Sequence, residues 1–156
     1  MSLTRMIASA GGCGRFPLAP GTFASFIALA IGVPLLLQPY ALAGAIIVVM
    51  IAGHWAIRSL DIEDDPSWVV IDEVAGQWVA LLGLSQASVP GLFAAFVIFR
   101  VLDVAKPGPV GWADRQSGPA AIMADDIIAG AITAGIVWAL RMHWPDAFDR
   151  LVFASA

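Results

Sequence analysis

Five acidic residues stand inside or beside apolar stretches of this 156-residue sequence, at Asp72, Glu73, Asp103, Asp125 and Asp126. A carboxylate at membrane depth costs about 3 kcal/mol or more unless it is paired, hydrated or metal-bound, so such residues are functional by default. Carboxylates without histidine or cysteine partners suit a hard cation, and Mg²⁺ is the usual one when phosphate supplies the remaining ligands. The pattern therefore predicts a Mg²⁺ and phosphate site built from these five acids.

Basic residues and a glycine turn accompany the acids. Arg100 and Lys106 flank Asp103 at three-residue spacing, which on one helix would place metal and anion ligands on the same face. Gly21 and Thr22, in the turn that opens the first apolar stretch, are predicted to bind phosphate with backbone N–H groups and the hydroxyl at a helix N-terminus. The alternative for this turn is a simple helix start with Thr22 as the N-cap.

The composition is that of a membrane protein. Hydrophobic residues make up 60% and charged residues 13% of the chain, against about 45–50% and 25% in an ordinary soluble domain, and the mean hydropathy is +0.85. This composition excludes a disordered chain, a coiled coil and a basic nucleic-acid-binding module. We expect residues 1–156 to form one domain whose partners are the membrane and a small substrate, with no nucleic acid.

Apolar stretches separated by Pro, Gly and charged residues predict an all-α fold of about five helices. Several are nearer 15 residues than the roughly 20 that span a bilayer, so some are expected to be short or re-entrant. The predicted helices are Phe23–Leu37, Ala41–Ile57, Trp68–Leu84, Leu92–Ala105 and Ile122–Leu140.

If all five cross, the N-terminal tail and the loops 58–67 and 106–121 share one side with the five acids. That side carries five basic residues and the other carries Arg141 and Arg150. The positive-inside bias then predicts a multi-pass protein with its site at the cytoplasmic face. The five basic residues are Arg5, Arg15, Arg58, Lys106 and Arg115.

Each acid also has a purely structural interpretation. Asp103 could form an ion pair at a helix end, and Asp125 with Asp126 could be first-turn acids stabilised by the helix dipole. Asp72 and Glu73, inside an apolar run, are harder to explain in this way. His54, alone in an apolar helix, is expected to be a packing residue, and Asp65, before a proline, to start a turn. Solvated loop positions are predicted for Asp61, Glu63, Asp64, Asp146 and Asp149.

Four motifs in order resemble the phosphatidylglycerophosphatase A family. They are Ala19-Pro20-Gly21-Thr22, Val70-Ile71-Asp72-Glu73-x-x-Gly76, Phe99-Arg100-x-x-Asp103-x-x-Lys106-Pro107 and Ile122-Met123-x-Asp125-Asp126-x-x-Ala129-Gly130. The resemblance implies a bacterial, Mg²⁺-dependent inner-membrane phosphatase of phospholipid biosynthesis. Its reaction would convert phosphatidylglycerophosphate into phosphatidylglycerol and inorganic phosphate.

Carried over residue by residue, the resemblance implies Asp72, Glu73, Asp103 and Asp126 as catalytic residues. The same four acids and Asp125 would bind metal, with Arg100 and Lys106 beside them. The nucleophile would be a metal-activated water or, alternatively, an aspartate. Outside this resemblance, a small ion or proton carrier or a non-catalytic membrane assembly subunit would also place acids in apolar helices.

Overall fold

The computed structural model describes residues 1–148 and 152–154, and most of these are helical, as predicted. A short antiparallel pair of strands, β1 and β2, was not predicted. The elements are α1 (Leu3–Ala8), a 3-10 turn (Ala10–Arg15), α2 (Pro20–Leu36), α3 (Pro39–Ser59), α4 (Ile71–Leu81), β1 (Ala87–Ser88), α5 (Val89–Ala105), α6 (Pro109–Asp114), α7 (Pro119–His143), α8 (Pro145–Phe148) and β2 (Val152–Ala154).

Prolines begin the helices earlier than apolar content predicts. Pro20, Pro39 and Pro119 open α2, α3 and α7, each two or three residues before the predicted start. The first position of a helix needs no backbone donor and matches the fixed proline φ, so the element begins at the proline itself. For α7 this shift moves Asp125 and Asp126 out of the first turn.

The third predicted helix starts later than its apolar run. Residues 68–70 lie outside α4, and the Val70 N–H donates to the Ala8 carbonyl at 2.9 Å. At 11 residues, α4 is about 16 Å long, too short to cross a hydrocarbon layer of about 30 Å. The expectation that some helices are short is confirmed for α4, and the generous span Trp68–Leu84 is wrong.

The short helix α4 lies at the centre of the fold and packs against α2, α3, α5 and α7. The Trp78 Nε1–H donates to the Ala28 carbonyl of α2 at 2.8 Å, which ties the two helices through a buried contact. On the opposite side a Cβ atom at Gly130 would overlap the Gly76 carbonyl oxygen. The two helices therefore make a close contact at these two glycines, and this contact sets the separation of α4 and α7.

Among the residues that the structure describes, two helices are long and apolar enough to cross a membrane by length and composition, Tyr40–Ser59 and Pro119–His143. Ile47, Val48 and Ile51 leave more than half of their side-chain surface uncovered on α3. Such an apolar outer surface fits a lipid environment better than water. The other crossings of the five-crossing arrangement remain a prediction. The helix α2 is apolar but shorter than these two, and α4 cannot span the membrane alone.

Candidate active site

One end of the helix bundle gathers all five predicted acids. Asp72 and Glu73 lie in the first turn of α4, Asp103 in the last turn of α5, and Asp125 with Asp126 about two turns into α7. The helix-dipole explanation proposed for the Asp125 and Asp126 pair is therefore wrong, because the first turn of α7 holds no acid. The four aspartates are buried and Glu73 is half-buried.

The acids form two overlapping groups that share Asp126. In each group one oxygen from every residue lies within 4.8 Å of the others, close enough to bind one cation. One group is Asp72, Glu73 and Asp126, and the other is Asp103, Asp125 and Asp126. If each group held a cation, Asp126 would be shared between the two sites, an arrangement that suits the two-metal sites used for phosphoryl transfer.

Three buried carboxylate oxygens in this cluster have no hydrogen-bond partner among the described atoms: Glu73 Oε2, Asp125 Oδ1 and Asp126 Oδ2. An unpartnered buried oxygen is strongly unfavourable, and a bound ion is one accepted explanation for it. The donor set is entirely oxygen, which matches the ligand preference of Mg²⁺. The cluster is therefore suited to hold a hard divalent cation.

Arg100 lies against this cluster from α5. Its guanidinium forms an ion pair with Asp103, and its Nη1–H donates to the Ser25 hydroxyl at 3.5 Å. The Ser25 hydroxyl donates in turn to the Gly21 carbonyl at 2.8 Å. This chain connects the predicted arginine to the first turn of α2, so a residue that the sequence reasoning did not identify, Ser25, positions it.

Lys106 reaches the site from a position outside α5, which its three-residue spacing from Asp103 did not predict. It caps α5 in the left-handed conformation at φ 47° and is outside the helix, since the proline that follows disfavours helical backbone at this position. Its ammonium group donates to Asp125 and pairs with Asp114, both at 2.6 Å. The shared-helix-face expectation for Asp103 and Lys106 is wrong, although both reach the cluster.

These two carboxylates set the charge state of Lys106. Partial burial alone would lower the pKa of the ammonium group, but the hydrogen bonds and negative charges of Asp114 and Asp125 outweigh it and raise the pKa above its ordinary value. Lys106 is therefore a permanent cation at the edge of the acids. Asp114 carried no signal in the sequence, because it lies in a segment predicted to be loop, and α6 places it here.

The predicted glycine turn also reaches the site. A Cβ atom at Gly21 would overlap the Glu73 carboxylate and lie 3.5 Å from an Arg100 nitrogen, so any larger residue here would displace that carboxylate. Thr22 follows in the same first turn and is half-buried. Ala19, in the left-handed conformation, occupies the N-cap position, so the alternative with Thr22 as the N-cap is wrong.

Most predicted loop acids behave as expected. Exposed positions are found for Asp61, Glu63, Asp64 and Asp146, and Asp149 lies outside the described residues. Asp65 is exposed as well and, with Glu63 and Asp64, lines a pocket of about 260 Å³, here called the acidic pocket, which Asp114 and Asp125 also line. Partial desolvation and the charge of Asp125 raise the pKa of Asp65 to about 6. This acid therefore belongs to the rim of the site.

Several known proteins are similar to this chain in sequence. A model of the family described as Phosphatidylglycerophosphatase A matches residues 6–141. Phosphatidylglycerophosphatase A of Escherichia coli is 35% identical over 90% of this chain and 84% of its own length. The Haemophilus influenzae protein of the same name is 27% identical over 89% of this chain and 88% of its own.

A third relative carries a different activity in its name. This Bacteroides thetaiotaomicron protein, provisionally named a phosphatidylinositol-3-phosphatase, is 34% identical over 80% of this chain and 85% of its own length. No solved structure matches. All three names describe phosphatases of phospholipids, and the family match covers every residue of the acidic cluster. The chain is an enzyme that belongs to the phosphatidylglycerophosphatase A family.

Proposed function

We propose that this enzyme is a Mg²⁺-dependent hydrolase of phosphatidylglycerophosphate that acts at the cytoplasmic face of the bacterial inner membrane during phospholipid biosynthesis. The observation that carries the proposal is the pair of acidic groups that share Asp126, with three buried oxygens unpartnered. The two relatives named phosphatidylglycerophosphatase A favour this headgroup over the inositol headgroup in the third relative's name.

The residues that would hold metal are Asp72, Glu73, Asp103, Asp125 and Asp126. When bound, Mg²⁺ would supply Lewis acidity toward the phosphate oxygens and lower the pKa of a coordinated water. In the hydrolysis, the water oxygen bonds to phosphorus, the ester bond from phosphorus to the glycerol oxygen breaks, and that oxygen takes up a proton. The products are phosphatidylglycerol and inorganic phosphate.

The cationic side chains and the α2 N-terminus would bind the phosphomonoester. Arg100 and Lys106 pair with different acids, the first with Asp103 and the second with Asp114 and Asp125. Fixed cations stabilise charge that accumulates on phosphate oxygens in the transition state. Gly21 and Thr22, at the positive end of the α2 dipole, would add backbone and hydroxyl donors.

The placement of the acids favours an enzyme over a carrier or an assembly subunit. Carriers bind their ions near the bilayer midplane, between gates on both sides. Here the five acids lie at one end of the bundle, beside two cations and an open acidic pocket. A site at one end is suited to a headgroup presented by one leaflet.

The metal requirement gives the first test. We expect purified protein in detergent to release phosphate from phosphatidylglycerophosphate, to lose at least about 99% of that activity in EDTA and to regain it with excess Mg²⁺, since carboxylates alone repel a phosphate ester. Phosphatidylinositol 3-phosphate is assayed in parallel to compare the headgroups. Full activity in EDTA would contradict the metal requirement, and a preference for the inositol lipid would contradict the substrate.

The predicted orientation gives the second test. Gln116, after α6, is exposed beside the acidic pocket, and we expect a Gln116→Cys variant to react with an impermeant thiol reagent only from the cytoplasmic side. The experiment is done in a Cys13→Ala background, because Cys13 is a partly accessible free thiol. Labelling of intact cells from the periplasmic side would contradict the orientation. Arg150, one of the basic residues from which the orientation was predicted, lies outside the described residues.

A further inference from the structure

A second concave surface lies between α3 and α7, separate from the acids. This apolar groove has a volume of about 610 Å³ and is lined mainly by Met50, Ile51, Trp55, Met123, Ile127 and Ile128. On α7 it runs from Ala120 to Ile128, which corresponds to about 12 Å along the helix axis. An apolar groove of this length on the lipid-facing side of α3 matches part of an acyl chain.

One end of the apolar groove is polar. There it meets a depression of about 440 Å³, here called the polar depression, and the residues common to both are His54, Arg58 and Ala120. Arg58 is exposed and forms no ion pair with any other residue that the structure describes. The expectation that His54 is a packing residue is incomplete, because its half-buried side chain also lines both cavities.

The polar depression continues toward the active site. Glu63 and Ser117 line both the polar depression and the acidic pocket, whose wall also includes Asp125. Asp61 and Glu63 also line the depression, so an anion is favoured only next to Arg58, where the depression meets the groove. A continuous path therefore leads from an apolar groove, past an unpaired arginine, to the metal-binding acids.

The order of these surfaces matches the order of groups in one lipid molecule. We propose that the apolar groove binds an acyl chain of the phosphatidylglycerophosphate substrate while Arg58 and His54 bind its phosphodiester. This inference rests on the proposed function. The substrate carries acyl chains, a phosphodiester, one glycerol and a terminal phosphomonoester in that sequence, so its glycerol would lie between Arg58 and the acidic pocket. Arginine suits the diester because its planar fork donates two parallel hydrogen bonds.

Filling the groove tests the acyl-chain part. We expect Ala124→Phe, which adds a ring to the groove wall on α7, to lower the ratio of kcat/KM for dioleoyl over dihexanoyl phosphatidylglycerophosphate at least about tenfold. The reason is that only the long chain needs the full groove. Ile31→Phe, at an exposed position on α2 rather than on α3 or α7, is the matched control and should leave the ratio unchanged.

Removing the arginine tests the headgroup part with a variant that should fold normally. Because Arg58 is exposed and unpaired, Arg58→Ala is expected to raise KM about tenfold for both chain lengths, and Arg58→Lys to restore part of that loss. An unchanged KM in Arg58→Ala would overturn the headgroup assignment. An unchanged chain-length ratio in Ala124→Phe would overturn the acyl-chain assignment.

The outcomes separate this inference from the function on which it rests. Wild-type protein that hydrolyses neither lipid would contradict the proposed function. Wild-type protein that hydrolyses both, with variants that keep their ratio and KM, would contradict the inference alone. If a second copy of the chain occupied the groove instead, Ala124→Phe would change the oligomeric mass in detergent without changing the ratio, which also overturns the inference.

Discussion

Asp126→Asn is expected to lower turnover by at least about a hundredfold, and by more than Asp72→Asn. Asp126 contributes an oxygen to both acidic groups, whereas Asp72 contributes to one. The amide is nearly isosteric but lacks the negative charge that a cation needs. The measurement is kcat for phosphate release from phosphatidylglycerophosphate across a Mg²⁺ titration, in which Asp126→Asn should also require more Mg²⁺.

Stability without metal provides the discriminating readout. Asp126 is buried, and its Oδ2 has no partner among the described atoms. Neutralising a buried, unpaired carboxylate relieves a desolvation penalty, so the melting temperature of Asp126→Asn in EDTA should equal or exceed that of the wild type. Asp146→Asn, at an exposed position in α8, is the control and should change neither kcat nor melting temperature. A destabilised variant with near-normal turnover would show that Asp126 is structural.

The five acids could be predicted from the sequence because few purely structural roles explain a carboxylate in an apolar stretch. The structure brings all five acids together and adds the geometry that the sequence lacks, namely that Asp126 belongs to two groups. Which acid is shared depends on the angle and spacing of α4 and α7, and a linear pattern does not specify either. The catalytic and ligand roles of the acids remain predictions that the substitutions above test.

The supporting residues could not be predicted because their partners are distant in the sequence. Ser25 contacts Arg100 across 75 positions, and Asp114 contributes only because α6 folds its segment back toward Lys106. The start of α4 was misplaced for a local reason, since apolar content does not distinguish the non-helical residues Trp68–Val70 from a helix. As a result, the first-turn position that the sequence suggested for Asp125 and Asp126 in α7 is instead occupied in α4 by Asp72 and Glu73. Asp125 and Asp126 lie deeper in their helix.

Gly130→Ala is expected to lower turnover by about a hundredfold even though position 130 carries no functional group. The added methyl would overlap the Gly76 carbonyl oxygen and lie 3.1 Å from Val79 Cβ, and the backbone atom cannot rotate away. The helices α4 and α7 must therefore separate, which moves Asp72 and Glu73 away from Asp126. A misplacement of about 1 Å in a catalytic constellation can reduce the rate about a hundredfold.

A second glycine on the same helix provides the control for Gly130→Ala. A Cβ atom at Gly135 meets nothing within 4 Å, so Gly135→Ala should keep full activity and gain up to about 1 kcal/mol of helix stability. Overpacking at position 130 should instead destabilise the fold by about 1–3 kcal/mol. The measurements are kcat, the Mg²⁺ concentration for half-maximal activity and the melting temperature of both variants. Because α4 carries Asp72 and Glu73 while α7 carries the Asp126 that completes their group, a higher Mg²⁺ requirement in Gly130→Ala alone is the expected signature. Equal kcat in the two variants would mean that the close α4 and α7 contact does not position the acids.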